Sequence, residues 1–262
     1  MSSQPDVVRV EYSGSTATVV LDRPEKLNAL SVESWTQLAR MMAELSRDET
    51  LRCIVLRGAG SSAFAAGADI SEFPVVRAEA QQGRVYGDLI HAAMQSIGDC
   101  THPTIAMIHG VCVGGGLEIA LMCDLRIASD ASRFGIPVNR LGLTMGYGEL
   151  EGLLAVAGPA TALEILLEGR VFDAQEALAK RLVHRIVPEA SLETEVHASA
   201  ARIAAGAPLV ARWHKRFIRR LQLKQPLSEA EWAEGFECFD SDDYREGLRA
   251  FLARETPQFK GR

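Results

Sequence analysis

Residues 105–118 read Ile-Ala-Met-Ile-His-Gly-Val-Cys-Val-Gly-Gly-Gly-Leu-Glu, and a helical pattern continues from there to Cys123 and Asp124. The apolar residues at the start predict a buried strand, which the glycine run ends. Because glycine has no Cβ atom, another chain segment or a ligand can approach this backbone closely. The helix that follows leaves its first N–H groups without partners inside the helix, and its dipole favours negative charge there. The stretch therefore predicts a strand, a tight turn and a helix around one point of close approach.

Gly115 and Glu118 are three residues apart, which places them on one face of the predicted helix. A backbone N–H group and a carboxylate can then face the same space. Such a pair suits a reaction in which a carbonyl oxygen gains charge while a nearby carbon gains or loses a proton. The simpler alternative is that Glu118 is only a first-turn glutamate favoured by the helix dipole.

A second turn of small residues, Ala-Ala-Gly-Ala-Asp at 65–69, also follows a predicted strand. Together the two turns could place two backbone N–H groups on one oxygen atom, an arrangement called an oxyanion hole. The alternative is that both turns are small only for tight packing. Neither matches a dinucleotide-binding motif or a P-loop. His109 could act as an acid or base beside the first turn, although a half-buried histidine with satisfied hydrogen bonds is the simpler interpretation.

Strands and helices alternate along most of the chain. Predicted strands cover 7–12, 16–21, 53–57, 104–108, 125–128 and 183–187, with helices after Ser31 and over 75–98. This alternation predicts an α/β core with a parallel sheet. The pattern over 191–251 is helical, with a capping box at Ser228 and Glu231. Because this helical end has no sheet to cover, we expect it to pack on the core or on another subunit.

Composition narrows the class of protein. A chain of 262 residues, 47% hydrophobic and 24% charged, predicts one large globular domain or a domain with an appendage. The net charge of −6 argues against a nucleic-acid partner, and no apolar run reaches transmembrane length. The cysteines are scattered and odd in number, which predicts reduced thiols in a cytoplasmic protein. The histidines form no ligand-spaced pair, so we expect no metal site.

Several motifs together resemble the crotonase (enoyl-CoA hydratase/isomerase) family over essentially the whole chain. They are Arg23-Pro24 with Leu-Asn-Ala-Leu at 27–30, Phe-Ala-Ala-Gly-Ala-Asp-Ile at 64–70, the run 110–118, Cys123-Asp124, Phe-Gly-Ile-Pro at 134–137, Leu141-Gly142 and Phe259-Lys260. The resemblance implies an α/β fold, a crotonase-like spiral of ββα units over 1–195. It also implies a C-terminal helical trimerisation region over 196–262, in a homotrimer or a hexamer of paired trimers.

The resemblance further implies the substrate and the site. The substrate would be an acyl-CoA thioester, with coenzyme A as part of the substrate and no separate cofactor. The N–H groups of Ala68 and Gly115 would hold the thioester enolate, and Glu118 would act as general acid or base. We also expect contacts with the substrate from a further set of residues, namely Ala66, Ile70, Gly114, Val138 and Lys260. Of these, Lys260 would reach the phosphates of coenzyme A, across a subunit boundary.

The chain departs from the family pattern at one position. Similar hydratases carry a second glutamate directly after the proline that matches Pro137, where this chain has Val138. Hydration needs one group to deprotonate water and another to protonate carbon. Glu149 is a possible replacement for the missing glutamate, unless it only starts a helix; Asn139, Tyr147 and Glu151 are also near in sequence.

We therefore expect an acyl-CoA-processing enzyme, nominally an enoyl-CoA hydratase of the lyase class. Because of Val138, a family isomerase, decarboxylase or thioester hydrolase is the first alternative. A non-catalytic acyl-CoA binder is the second.

Overall fold

The computed structural model describes residues 6–262. Its ten strands, in chain order, are β1 (Val8–Ser13), β2 (Thr16–Leu21), β3 (Cys53–Gly58), β4 (Ala63–Ala65), β5 (Thr104–Ile108), β6 (Val111–Val113), β7 (Leu125–Ser129), β8 (Arg133–Gly135), β9 (Phe172–Asp173) and β10 (Arg185–Val187). β1 and β2 form the predicted antiparallel hairpin. Gly14 closes its turn with a φ of +58°, a conformation that glycine adopts without strain.

The helices fill the connections between these strands. They are α1 (Val32–Arg47), α2 (Phe73–Val76), α3 (Ala80–Gly98), α4 (Gly115–Met122), α5 (Tyr147–Glu168), α6 (Ala174–Ala179), α7 (Leu192–Ala204), α8 (Pro208–Gln222), α9 (Glu229–Glu234) and α10 (Asp242–Ala253). The predicted caps are confirmed: the Ser31 hydroxyl accepts from the Ser34 N–H at 3.2 Å, and Ser228 with Glu231 forms the capping box of α9.

Two sheets organise the fold. The larger has the strand order β1-β2-β3-β5-β7-β10, parallel except for the hairpin; the smaller has the order β4-β6-β8-β9. Along the chain, β3, β5 and β7 each enter the larger sheet, and the next strand, β4, β6 or β8, enters the smaller one. Helices α2 and α3 then follow β4, α4 follows β6, and α5 follows β8. These repeated ββα units confirm the predicted fold class.

The main core lies where α1 and α3 pack beside the two sheets. Trp35 and Leu38 of α1 and Met94 and Ile97 of α3 are fully buried there. At about 25 cal/mol per Å² of buried apolar surface, side chains of this size each stabilise the fold by roughly 2 kcal/mol. This packing gives the turns at the ends of the short strands a rigid support.

Helix α7 covers the other face of the larger sheet, where Leu192, Val196 and Ala200 meet β3, β5 and β7. Helix α8 is tied to the same chain by Lys215, whose Nζ lies 2.6 Å from Asp124 and donates to the His102 carbonyl at 2.8 Å. The helical end therefore packs on its own core through α7 and α8. The division at 195/196 falls inside α7 and stays a prediction.

Several segments differ from the sequence-based expectation. The four short strands of the smaller sheet were not among the predicted strands. The helix predicted over 75–98 is two helices, because the chain turns extended at Glu79 (φ −144°, ψ 168°). The last strand begins at Arg185 rather than at 183. The tail is interrupted between α8 and α9 and between α9 and α10.

Helix α5 alone, among the helices of residues 6–262, is long and apolar enough to cross a membrane by length and composition. This was not expected from the sequence, because charged residues interrupt the apolar run. Non-helical backbone at Gly158 (φ 71°, ψ 169°), followed by Pro159, divides the helix. Its first turn contributes Glu149 to the cavity described below.

Candidate active site

The two glycine turns meet at the ends of neighbouring strands. β4 and β6 are parallel, so the turn at 66–69 and the turn at Gly114 leave the same edge of the smaller sheet. Gly67 has a φ of +99°, and a Cβ atom there would lie 3.1 Å from the Val113 carbonyl oxygen and 3.5 Å from the Gly115 nitrogen. Only glycine combines this conformation with this approach. The predicted point of close approach is therefore present.

Each turn leaves backbone N–H groups without an acceptor among residues 6–262, and those of Ala68 and Gly115 are among them. Ala66 N–H donates to Leu27 at 3.0 Å and Asp69 N–H donates to Leu30 at 2.9 Å. Between them, the Ala68 N–H has no acceptor within the described part of the chain, and neither has the Gly115 N–H at the start of α4. Helix starts leave such donors free. The two turns thus offer two N–H groups to a ligand.

Glu118 lies one helical turn beyond Gly115 and is only 5% exposed. Its backbone N–H donates to the Gly114 carbonyl at 3.0 Å, which starts α4. Burial, together with a smaller contribution from the charge of Glu149, raises the pKa of Glu118 to about 8, and Arg77 opposes the shift. At neutral pH the Glu118 carboxyl therefore carries a proton.

Glu149 is the third residue of α5 and faces the same cavity as Glu118. One carboxylate oxygen accepts from the Gly146 N–H, and the other lies 3.6 Å from Nη2 of Arg77. Glu149 therefore caps the helix, as its simpler interpretation from sequence expected, and it also lines the cavity; its catalytic role stays a prediction. These contacts are compatible because they use different oxygens.

The cavity holds about 100 Å³. Its walls are mostly apolar, formed by Trp35, Phe73, Ile90, Val138, Leu141, Leu143 and Met145. It also brings together most of the residues predicted from sequence, namely Ala66, Ala68, Ile70, Gly114, Gly115, Glu118, Val138 and Glu149. Val138 stands directly after Pro137 in a short 3-10 turn and presents an apolar side chain.

Lys260 is not part of this cavity within a single chain. It is exposed, and its backbone N–H donates to Asp243 of α10 at 2.6 Å. His109 is buried outside the cavity, and its Nε2 has no partner among residues 6–262. This differs from the satisfied histidine expected from sequence.

A salt-bridge cluster holds the first turn in place. Arg23 Nη2 lies 2.9 Å from an Asp69 carboxylate oxygen, and Lys26 Nζ lies 3.1 Å from the same oxygen. Burial alone would raise the pKa of Asp69, but hydrogen bonds from Ser71, Arg23 and Lys26 outweigh it and lower that pKa. Asp69 is therefore an ionised anchor directly beside Ala68.

Two residues of the site were not predicted from the sequence. Trp35 belongs to the buried core of α1, yet its ring lies under Gly115, where a Cβ atom would be 3.0 Å from it. Arg77 was not singled out, although it lies over the Phe73 ring at 5.0 Å and the Tyr86 ring at 4.5 Å. The spacing of Phe73 and Arg77 by four residues was the available signal.

Within residues 6–262, no cluster of three or more His, Cys, Asp or Glu side chains is arranged to hold a metal ion. The polar groups of the cavity are instead two backbone donors, two carboxyl groups and one guanidinium. Such a set can bind a carbonyl oxygen and move protons.

Known proteins match this chain along its full length. A family model described as enoyl-CoA hydratase/isomerase matches residues 11–262. The short-chain-enoyl-CoA hydratase of Clostridium acetobutylicum is 33% identical over 258 residues, covering 97% of this chain and 98% of that protein. The (E)-benzylidenesuccinyl-CoA hydratase of Thauera aromatica is 34% identical over 261 residues, covering 97% and 99%.

A solved structure gives the same result. The crystal structure of an enoyl-CoA hydratase/carnithine racemase from Magnetospirillum magneticum matches with a TM-score of 0.97 and 48% identity, covering 99% of this chain and 97% of that one. With the two glycine turns and Glu118 in place, these full-length matches show that the chain belongs to the enoyl-CoA hydratase/isomerase family, the crotonases.

Proposed function

We propose that this protein is an enoyl-CoA hydratase, which adds water across the double bond of a 2-enoyl-CoA thioester. One observation carries the proposal: two unpaired N–H groups and two carboxyl groups, Glu118 and Glu149, face a single cavity. The names of the two hydratases matched along their full length support the same reaction.

The N–H groups of Ala68 and Gly115 bind the thioester oxygen. As negative charge moves onto that oxygen, both hydrogen bonds strengthen, and the dipole of α4 adds to them. Loss of one such donor typically slows a reaction by about 10²–10³. This stabilisation of the enolate is the largest single contribution that the fold makes to the rate.

The two carboxyl groups divide the proton transfers. Glu149 takes a proton from water as the water oxygen bonds to C3, and the double-bond electron pair moves through C2 to the thioester oxygen. The enolate then collapses and C2 takes the proton held by Glu118, which restores the thioester. Glu149 ends protonated and Glu118 ionised, and exchange with solvent resets the pair.

Glu149 takes the role of the glutamate that similar hydratases carry after the proline. It reaches the cavity from α5, whereas Val138 provides only an apolar wall. The isomerase, decarboxylase and hydrolase alternatives depend on Val138, because its place after Pro137 would leave Glu118 as the one carboxylate of the site. Glu149 supplies a second carboxylate, so these alternatives lose their support. A non-catalytic binder would not need a second carboxyl group facing the same cavity as Glu118.

Coenzyme A binds along the first turn, where the backbone of Ala66, Ala68 and Ile70 meets its adenine end and Gly114 contacts the thioester. Lys260 of a neighbouring subunit pairs with its phosphates, because Lys260 lies outside the cavity of its own chain. No metal or redox cofactor is needed, since the reaction moves only protons and one oxygen nucleophile.

The oligomer is a homotrimer or a hexamer of paired trimers in the cytoplasm. Large apolar side chains beyond α7 are exposed in the single chain, which supports an interface there; they include Ile218, Leu221, Trp232, Phe236, Phe251 and Leu252. Exposed apolar patches of this kind mark protein contacts. Sedimentation equilibrium tests the stoichiometry, and a monomer at micromolar concentration would contradict this part of the proposal.

A carboxylate-relocation experiment tests the reaction. Glu149→Gln should lose most hydration of crotonyl-CoA, and adding Val138→Glu should restore at least a tenth of the wild-type rate by returning a carboxylate to the other wall. Val138→Gln in the same background is the matched control. If wild type and both double variants bind crotonyl-CoA but form no 3-hydroxybutyryl-CoA, the proposed reaction is wrong.

A further inference from the structure

Arg77 is the basic side chain of the cavity wall among the described residues. Its guanidinium lies against two aromatic rings, Phe73 at 5.0 Å and Tyr86 at 4.5 Å from the ring centroids. The Tyr86 hydroxyl in turn accepts from Trp35 Nε1 at 3.2 Å. Stacked arginine loses little further freedom when it binds a carboxylate. Arg77 is therefore a fixed charge rather than a mobile surface group.

The Glu149 carboxylate is held at both oxygens. Oε2 accepts from the Gly146 N–H, and Oε1 faces Arg77 at 3.6 Å in a pair whose side chains are 17% and 11% exposed. A pair this sheltered is screened less by salt than a surface pair. Without Arg77, only the helix cap would orient Glu149.

We propose that Arg77 is the positioning residue of the carboxyl pair: its guanidinium faces Oε1 of Glu149 and holds that carboxylate towards the cavity. This inference rests on the proposed function, because it explains how the base that hydration requires is oriented. Arg77 acts through Glu149 and does not touch the thioester.

The electrostatics agree with this arrangement. Burial is the main cause of the raised pKa of Glu118, the charge of Glu149 adds to it, and Arg77 lowers it. Arg77 and Glu149 therefore act on Glu118 with opposite signs. Neutralising each in turn should move the titration of Glu118 in opposite directions.

Of the other titratable groups around Arg77, the two nearest carboxylates that precede it in the chain already have partners. Asp69 is paired with Arg23 and Lys26, and the Glu72 carboxylate accepts from the Val32 N–H at 2.8 Å.

Helices α3 and α5 add three further titratable groups near Arg77. On α3, burial raises the pKa of Tyr86, and His91 lies against Gly148 with its Nδ1 unpartnered among residues 6–262. On α5, Glu151 is exposed. Glu149 is thus the anion that Arg77 contacts.

The test compares Arg77→Met, Arg77→Lys and Glu149→Gln in the full-length protein. Carbon-13 NMR of protein labelled at the glutamate carboxyl carbon follows Glu118, whose signal is identified by its loss in Glu118→Gln. We expect Arg77→Met to raise the titration midpoint of Glu118 and Glu149→Gln to lower it, each by about one pH unit. Arg77→Lys, which keeps the charge, should return the midpoint to near the wild-type value. The alkaline limb of kcat/KM for crotonyl-CoA should move in the same directions.

Three results would overturn the inference. The first is an unchanged midpoint in folded Arg77→Met; if that variant unfolds, Arg77→Gln replaces it. The second is a titration midpoint of Glu118 in Arg77→Lys that equals its midpoint in Arg77→Met. The third is an Arg77→Met effect confined to KM, which would mean that Arg77 binds the substrate. Because the NMR titration needs no turnover, opposite midpoint shifts in a protein that hydrates no thioester would refute the proposed function and leave this inference standing.

Discussion

Glu118 of α4 and Glu149 of α5 face the same cavity, although they come from separate ββα units of the spiral. Similar hydratases take their second glutamate from the turn after β8, where this chain has Val138. The proposed mechanism therefore requires two carboxyl groups in one cavity, and it does not require both of them to keep the positions that they have in the sequences of similar hydratases.

Replacement of Glu118 should lower activity and raise stability together. We expect Glu118→Gln to reduce the hydration rate by about 10²–10⁴, since it removes the proton donor to carbon. The pKa of Glu118 is about 8 in the folded protein, against an ordinary value of 4.5 for a glutamate carboxyl group. The stability that this group contributes is complete below pH 4.5 and is lost as the pH rises towards 8.

Glutamine does not titrate, so the gain in the free energy of unfolding of Glu118→Gln over wild type should grow across that range. At pH 7 it should be on the order of 3 kcal/mol. Urea denaturation at several pH values measures it. A stability difference independent of pH would contradict the buried, protonated state of Glu118.

Replacement of Glu149 should slow hydration, whereas replacement of Glu151 on the same helix should not. We expect Glu149→Gln to lower kcat for crotonyl-CoA by about 10²–10³, because water loses its base, and to change KM little. Glu151→Gln is the matched control, since Glu151 is exposed on the same helix turn. Equal effects of the two substitutions would remove Glu149 from the mechanism.

The contact between the two glycine turns should be sensitive to a single methyl group. In Gly67→Ala the new Cβ atom would lie 3.1 Å from the Val113 carbonyl oxygen, so the turns must separate and the N–H groups of Ala68 and Gly115 must diverge. We expect kcat/KM to fall by at least about 10².

Gly14→Ala provides the control for backbone strain. Gly14 also has positive φ (+58°), but a Cβ atom there meets nothing within 4 Å. Gly14→Ala should lower the free energy of unfolding by about 1–2 kcal/mol and leave kcat/KM unchanged. If both substitutions reduce activity equally, strain rather than donor geometry is responsible.

Asp69 should stabilise the fold in a pH-dependent way. We expect Asp69→Asn to lower the free energy of unfolding by about 1–3 kcal/mol at pH 7, because the salt bridges with Arg23 and Lys26 are broken. The folded-state pKa of Asp69 is lowered, so its stabilisation is present above its ordinary pKa of 3.8 and is lost as the pH falls through the folded value.

Asp242→Asn is the surface comparison, because Asp242 pairs with Arg245 when both are about 60% exposed. It should change the free energy of unfolding by less than about 0.5 kcal/mol. Equal losses in the two variants, measured by urea denaturation at pH 7, would contradict the anchoring role of Asp69.

Much of this structure could be predicted from residues that lie close together in the sequence. The glycine turns, the first-turn position of Glu118 and the caps at Ser31 and Ser228 depend on residues close together in the chain. The fold class followed from the alternation of elements and from the family motifs. The contact between Gly67 and Gly115 could be anticipated because both turns follow neighbouring strands.

Long-range contacts could not be predicted in the same way. Arg77 meets Tyr86 and Glu149 only because α2, α3 and α5 converge on the cavity, and no local spacing encodes that convergence. The break in the helix predicted over 75–98 was also missed, because no glycine or proline marks Glu79, where the backbone becomes extended. Lys260 lies outside the cavity of its own chain, so its expected contact with coenzyme A across a subunit boundary stays a prediction.

Incubation of the purified protein with crotonyl-CoA in deuterated water, followed by NMR and mass spectrometry, is the direct test of hydration by Glu118 and Glu149. We expect 3-hydroxybutyryl-CoA with one deuterium at C2, delivered by the exchanged Glu118 carboxyl group, and loss of this product in Glu149→Gln. Tight binding of crotonyl-CoA with no hydration by the wild-type protein would contradict the claim that Glu118 and Glu149 together form the hydrating pair.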